Sequence, residues 1–130
     1  MRVLALDYGR ARTGVAVSDP TGTIARPLEV VDRAGGEQGL ARLIELIGEH
    51  EVEHVVVGMP LTLRGDRGEQ ARETEAFIEI LAGATAVPVV PFDERFTTDL
   101  AEQTPASAPE DARAAAHLLS SYLAWASARA

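Results

Sequence analysis

Three carboxylates stand at positions where their chemistry has consequences. Asp7 closes the apolar run Val3 to Leu6, Glu94 closes the run Val87 to Phe92 within Asp93-Glu94-Arg95, and Asp111 opens a run spaced as a helix. Each alone has an ordinary account. Asp7 suits a turn, Glu94–Arg95 suits a surface pair worth little, and acidic residues favour helix N-termini. Together they say more. A strand-end carboxylate must reach solvent, a partner or a metal. Asp111 lies four residues before Ala115 and eight before Leu119, the spacing of a sheet-facing helix stripe. Three such groups repel one another without a cation. Oxygen donors without His or Cys favour Mg²⁺ or Mn²⁺, which activate water and stabilise a leaving oxygen in phosphodiester cleavage.

Arginines surround these positions. Arg10 and Arg12 follow Asp7, Arg64 and Arg67 lie in a polar loop from Thr62 to Gly68, and Arg95 adjoins Glu94. They are candidate substrate-binding residues, since guanidinium binds phosphate bidentately. The alternative is solvated loop charge. Gly58-Met59-Pro60-Leu61, with Gly65 and Gly68 beyond, permits sharp backbone turns but lacks the Gly-Lys-Ser/Thr of a P-loop. His50, His54 and His117 share no ligand spacing; His117 falls with Arg113 and Ser121 on a stripe read as surface.

The elements that position these residues follow from hydrophobic period. Val3 to Leu6, Thr13 to Val17 and Ile24 to Val31 read as strands, the first two joined by 8–12 as a hairpin. Pro27 marks an edge strand or a bulge. Leu40, Leu43, Ile44 and Ile47 predict a helix, and His54 to Gly58 a buried strand. A second helix carries Phe77, Ile78 and Leu81, and the strand Val87 to Phe92 follows. A last helix from about Glu110 to Ala128 turns Ala112, Ala115, Leu119, Tyr122 and Ala126 inward, with Tyr122 and Trp125 packing it. The order βββαβαβα, with helical crossovers between the later strands, predicts an α/β fold with a mixed five-stranded sheet flanked by helices. Among folds of that order the ribonuclease-H-like fold fits best. Gln103 to Pro109 is a Thr-, Pro-, Ala- and Ser-rich link.

Composition sets bounds. The 130 residues suit one domain spanning 1–130, and 46% hydrophobic with 25% charged residues is ordinary for a globular protein. Without cysteine there is no disulfide scaffold, thiolate zinc site or cysteine nucleophile. The most apolar run, Val55 to Leu61, is far short of the ~18 residues of a membrane span, and Arg2 precedes too few apolar residues for a signal peptide. A cytoplasmic location without membrane association is expected. The net charge of -8 argues against sequence-independent coating of nucleic acid, but not against a nuclease whose metal site is itself acidic. All twelve basic residues are arginine.

Several ordered motifs resemble the YqgF (RuvX) family. They are Leu6-Asp7-Tyr8-Gly9 with Arg12 and Gly14-Val15-Ala16-Val17-Ser18-Asp19; Val57-Gly58-Met59-Pro60-Leu61 with Gly65 and Gly68; Phe92-Asp93-Glu94-Arg95-Phe96-Thr97-Thr98; and Asp111 through Ser121-Tyr122-Leu123. The resemblance implies a ribonuclease-H-like nuclease related to Holliday-junction resolvases and associated with maturing the 5′ end of pre-16S rRNA. Carried over residue by residue, it makes Asp7, Glu94 and Asp111 the catalytic acids and metal ligands, and Arg12 and Arg95 the phosphate-positioning residues. The implied partners are structured RNA or branched DNA, and a ribosomal precursor particle, with the chain a monomer or homodimer. The chain departs from the family in a short 99–110 segment without Lys or Arg, and in Ala11 where the family has Lys. Both changes weaken phosphate contact. A Holliday-junction resolvase and a catalytically weak nucleic-acid-binding module are the alternatives. A sugar-kinase or actin-like ATPase, suggested by Asp7-Tyr8-Gly9 before Gly14, needs a second domain that 130 residues cannot supply.

Overall fold

A computed structural model describes residues 1–61, 64–65, 67–96 and 109–129, with the side chain of Phe96 excluded. Most of the 99–110 segment, the Gln103 to Pro109 link up to residue 108, the Thr97-Thr98 pair and parts of the Thr62 to Gly68 loop lie outside the described residues.

The described elements are β1 (Val3–Asp7), β2 (Arg12–Ser18), β3 (Ala25–Asp32), α1 (Glu37–Glu49), β4 (His54–Met59), α2 (Glu69–Ala84), β5 (Val89–Asp93), a 3₁₀ turn (Glu94–Phe96) and α3 (Glu110–Ser127). The strands form one mixed sheet in the order β3-β2-β1-β4-β5. β1 pairs antiparallel with β2 and parallel with β4, and β4 pairs parallel with β5. This is the expected ribonuclease-H-like arrangement. Pro27 marks both features expected of it: β3 is an edge strand, and its register against β2 shifts between Val15 and Ala16, which pair with Glu29 and Pro27. β5 begins at Val89, later than the expected Val87. Pro88 has no N–H to donate to a ladder, although its carbonyl accepts from Val55 N at 2.8 Å.

The sheet separates two cores. Leu4, Leu6, Val15, Val17, Val55 and Val57 face one way, with Leu43, Leu46, Phe77 and Leu81 of α1 and α2. Val3, Ala5, Ala16, Val56 and Phe92 face the other, with Ala115, Ala116, Leu118 and Leu119 of α3. This alternation is the period-2 geometry of strands. Burying each large aliphatic side chain contributes roughly 1.5–3 kcal/mol. Tyr122 and Trp125 extend the second core, both meeting Phe92 edge-on at ring distances of 5.4 and 5.8 Å. Ala112, Ala115 and Leu119 are buried as expected, while Tyr122 and Ala126 are half-buried.

The stripe Arg113, His117, Ser121 is not the expected solvated surface. Ser121 is buried, and Arg113 Nε and His117 Nε2 are shielded from solvent without a hydrogen-bond partner among the described residues. α3 lies across β1, β2 and β3 together, so its buried arc is wider than a single-strand contact would make it.

Candidate nuclease site

The chain path brings several segments to one end of the sheet. β1, β4 and β5 run parallel, so their C-terminal ends share an edge, and antiparallel β2 begins there. The 8–11 loop, the segment after Met59, the 3₁₀ turn and the start of α3 all converge on it. This is the edge where open α/β sheets bind ligands.

Local packing fixes the site's frame. Tyr8 stacks on Phe77 of α2 with centroids 4.4 Å apart, tying the residue after Asp7 to the core. Thr13, fully buried, closes the 8–11 loop through its Oγ1, which donates to the Gly9 carbonyl and accepts from Gly9 N at 3.4 Å. Gly14 is paired with Asp7, and a Cβ there would lie 1.8 Å from the Asp111 carbonyl oxygen. Only glycine lets the first turn of α3 rest on β2 beside Asp7. A Cβ on Gly58 would lie 2.6 Å from Glu94 Oε1, so the Glu94 side chain lies across the bare backbone of β4.

Asp7 and Glu94 share a hydrogen bond between their carboxyl groups. Burial pushes both above the ordinary carboxylate range. Glu94 is pushed up to about 7, by burial first and then by the Asp7 charge beside it. Asp111 adds its negative field to Asp7 and raises it further. The Asp111 carboxylate, however, is taken by another partner: its Oδ2 lies 3.4 Å from Arg12 Nε. Among the described residues no group of three His, Cys, Asp or Glu side chains is disposed to hold a metal. The sequence-predicted acids are thus brought to one place as a close pair and a third member one ion pair away.

Four of the five candidate arginines pair with carboxylates of the chain itself. Arg10 bonds Glu73 on α2, Arg12 pairs with Asp111, and Arg67 lies 3.1 Å from Glu75. Arg95 grips Asp93, its Nε donating at 3.1 and 2.9 Å and its Nη2 at 2.6 Å. The Arg95 guanidinium would also lie 3.3 Å from a Cβ on Gly65, whose φ of +84° suits glycine. Arg64, beside Gly65, is likewise engaged. The signal for these pairings was weak in the sequence, because Arg10–Glu73 and Arg12–Asp111 join residues distant in the chain and Arg67–Glu75 joins a loop to a helix. Sequence reasoning also passed over Arg33, which lines a cavity of about 710 Å³ together with Arg12. Arg67, Glu75 and Asp93 line another, of about 410 Å³, floored by Met59, Ile78 and Pro91.

Comparison with known proteins identifies the family and the fold. A protein from Chloroflexus aurantiacus (J-10-fl) named "Putative pre-16S rRNA nuclease" is 46% identical over 101 residues, covering 78% of this chain and 66% of that protein. One of the same name from Desulforudis audaxviator is 40% identical, covering 95% of this chain and 94% of the relative. Thermus thermophilus RuvC, solved in complex with a Holliday junction substrate, matches at a TM-score of 0.70 and 20% identity, covering 98% of this chain and 96% of that one. Fowlpox virus resolvase, solved with Holliday junction DNA, matches at 0.51 and 9% identity, covering 99% and 97%. At these identities the structural likeness concerns the fold. A family model described as RuvX, Holliday junction resolvase, matches residues 1–125, and the chain belongs to that family.

Proposed function

We propose that this protein is a metal-dependent nuclease that hydrolyses phosphodiester bonds and processes the 5′ end of pre-16S rRNA in the cytoplasm. The observation that carries the reading is the Asp7–Glu94 carboxyl pair at the C-terminal sheet edge. Two carboxyls close enough to share a proton, with Asp111 near enough to act on Asp7, supply oxygen-only donors of the kind that suit a hard divalent cation. Asp7 and Glu94 would hold Mg²⁺ or Mn²⁺, with Asp111 as the third carboxylate. When bound, such an ion lowers the pKa of water and stabilises charge at a leaving oxygen. The chain's own residues do the rest. Asp7 and Glu94 would offer their oxygens to the ion as carboxylates. Arg12 and Arg95 orient the scissile phosphate, while Arg10, Arg64 and Arg67 extend contact along the strand.

The names of the relatives support RNA as the substrate. A second reading, cleavage of branched DNA by a homodimer, is favoured by the family description. Offering an end-labelled pre-16S 5′ fragment and a four-way DNA junction together, with Mn²⁺, separates them. The proposal predicts cleavage of the RNA. Cleavage of the junction alone supports the second reading. Binding without cleavage of either, by folded protein, contradicts the nuclease reading.

A further inference from the structure

Arg12 and Asp111 face one another where the start of β2 meets the start of α3. The backbone there has little slack, since the Asp111 carbonyl sits against Gly14 at the register position opposite Asp7. The freedom lies in the side chains, 68% exposed for Arg12 and 42% for Asp111. Asp111 is near enough to act on Asp7, yet its Oδ2 lies 3.4 Å from the arginine Nε. The guanidinium is also the group best suited to a phosphate, which it binds through a planar fork.

We infer that Arg12 is a positioning residue that withholds Asp111 from the Asp7–Glu94 pair until a substrate phosphate takes its guanidinium. The inference rests on the metal-nuclease reading and adds its regulation. One cation serves two anions in turn: Asp111 in the free protein, phosphate in the complex. The released Asp111 carboxylate then turns toward Asp7 and completes the oxygen donor set. Substrate binding and divalent-ion binding therefore strengthen each other, and the coupling is reciprocal. An exposed ion pair is weak enough to be exchanged in this way.

A double-mutant cycle tests it, using wild type, Arg12→Gln, Asp111→Asn and the double variant. Mn²⁺ affinity is read by electron paramagnetic resonance without nucleic acid. Arg12→Gln is expected to tighten Mn²⁺ binding about two- to fivefold, the scale of an exposed pair. That gain should vanish in the Asp111→Asn background. An equal gain in both backgrounds would mean that Arg12 acts only through its charge, and would overturn the inference, as would no gain in either. The same four proteins then bind a short single-stranded RNA in EDTA. Asp111→Asn should tighten RNA binding more when Arg12 is present than when it is Gln; equal effects would overturn the phosphate half. Asp7→Asn distinguishes the failures. Mn²⁺ binding that depends on Asp7 but shows no Arg12–Asp111 coupling overturns this inference alone. Mn²⁺ binding indifferent to Asp7 overturns the underlying metal reading as well.

Discussion

Glu94 and Asp7 set the behaviour of the site at the scale of single residues. Glu94 is raised from 4.5 to about 7 chiefly by burial, and Asp7 is raised with it. The folded protein therefore binds a proton more tightly than the unfolded chain between those values. Where the native state holds more protons, stability falls as pH rises. Metal-free protein in EDTA should lose stability between about pH 4.5 and 7 and level off above. Glu94→Gln should remove most of this slope. Urea denaturation at stepped pH checks it; a wild-type slope unchanged in Glu94→Gln would assign the effect elsewhere. The placement of Asp7 and Glu94 at one sheet edge was legible in the sequence, because Asp7 ends an apolar strand and Glu94 follows the end of another, where a charge has few places to go. The partners of Arg10, Arg12 and Arg67 were not, because a pairing across elements leaves no local pattern. His117 was misread for a related reason: a helix stripe reports burial only when the width of the covering surface is known.

At the scale of elements, the contact between α3 and β2 matters most. Gly14 places Asp111 beside Asp7, and a methyl group there would meet a backbone oxygen that cannot move alone. Gly14→Ala is expected to destabilise the protein by ~1–3 kcal/mol, as overpacking does, and to lower cleavage beyond the fraction unfolded. Denaturation midpoints paired with cleavage rates check this; full activity in a stable variant would show that α3 does not position the site. The strands and helices themselves were readable, because periods of 2 and 3.6 survive in 3–93 and helix α3 repeats its apolar stripe. Pro27 even foretold the edge and the bulge. The close approach of α3 to Gly14 was not readable. In sequence that glycine is one small residue in a strand, and only the fold reveals what fills the missing side chain's space.

Across the whole molecule, a net charge of -8 opposes nucleic-acid attraction, which the arginines at this sheet edge would have to offset locally. Even there, Arg10, Arg12, Arg67 and Arg95 are held by internal carboxylates, so phosphate must compete for each. Binding should therefore depend only shallowly on salt. With the five candidate arginines and Arg33 engaged, the slope of log K against log salt for single-stranded RNA should not exceed ~4.2 in magnitude, and each Arg→Gln change at this edge should reduce it by ~0.7. Salt titrations of wild type and Arg95→Gln test this; a much steeper slope would mean that phosphates also bind elsewhere. No helix among the described residues is long and apolar enough to cross a membrane.

The central claim is that Asp7 and Glu94 would hold a divalent ion on which phosphodiester cleavage depends. The most direct measurement is Mn²⁺-dependent cleavage of a pre-16S 5′ fragment by wild type and Asp7→Asn, with thermal melting of both proteins. The account predicts a folded variant whose cleavage falls by more than the ~10–100-fold typical of losing an outer partner of a metal ligand. A folded Asp7→Asn protein that cleaves at the wild-type rate would contradict it.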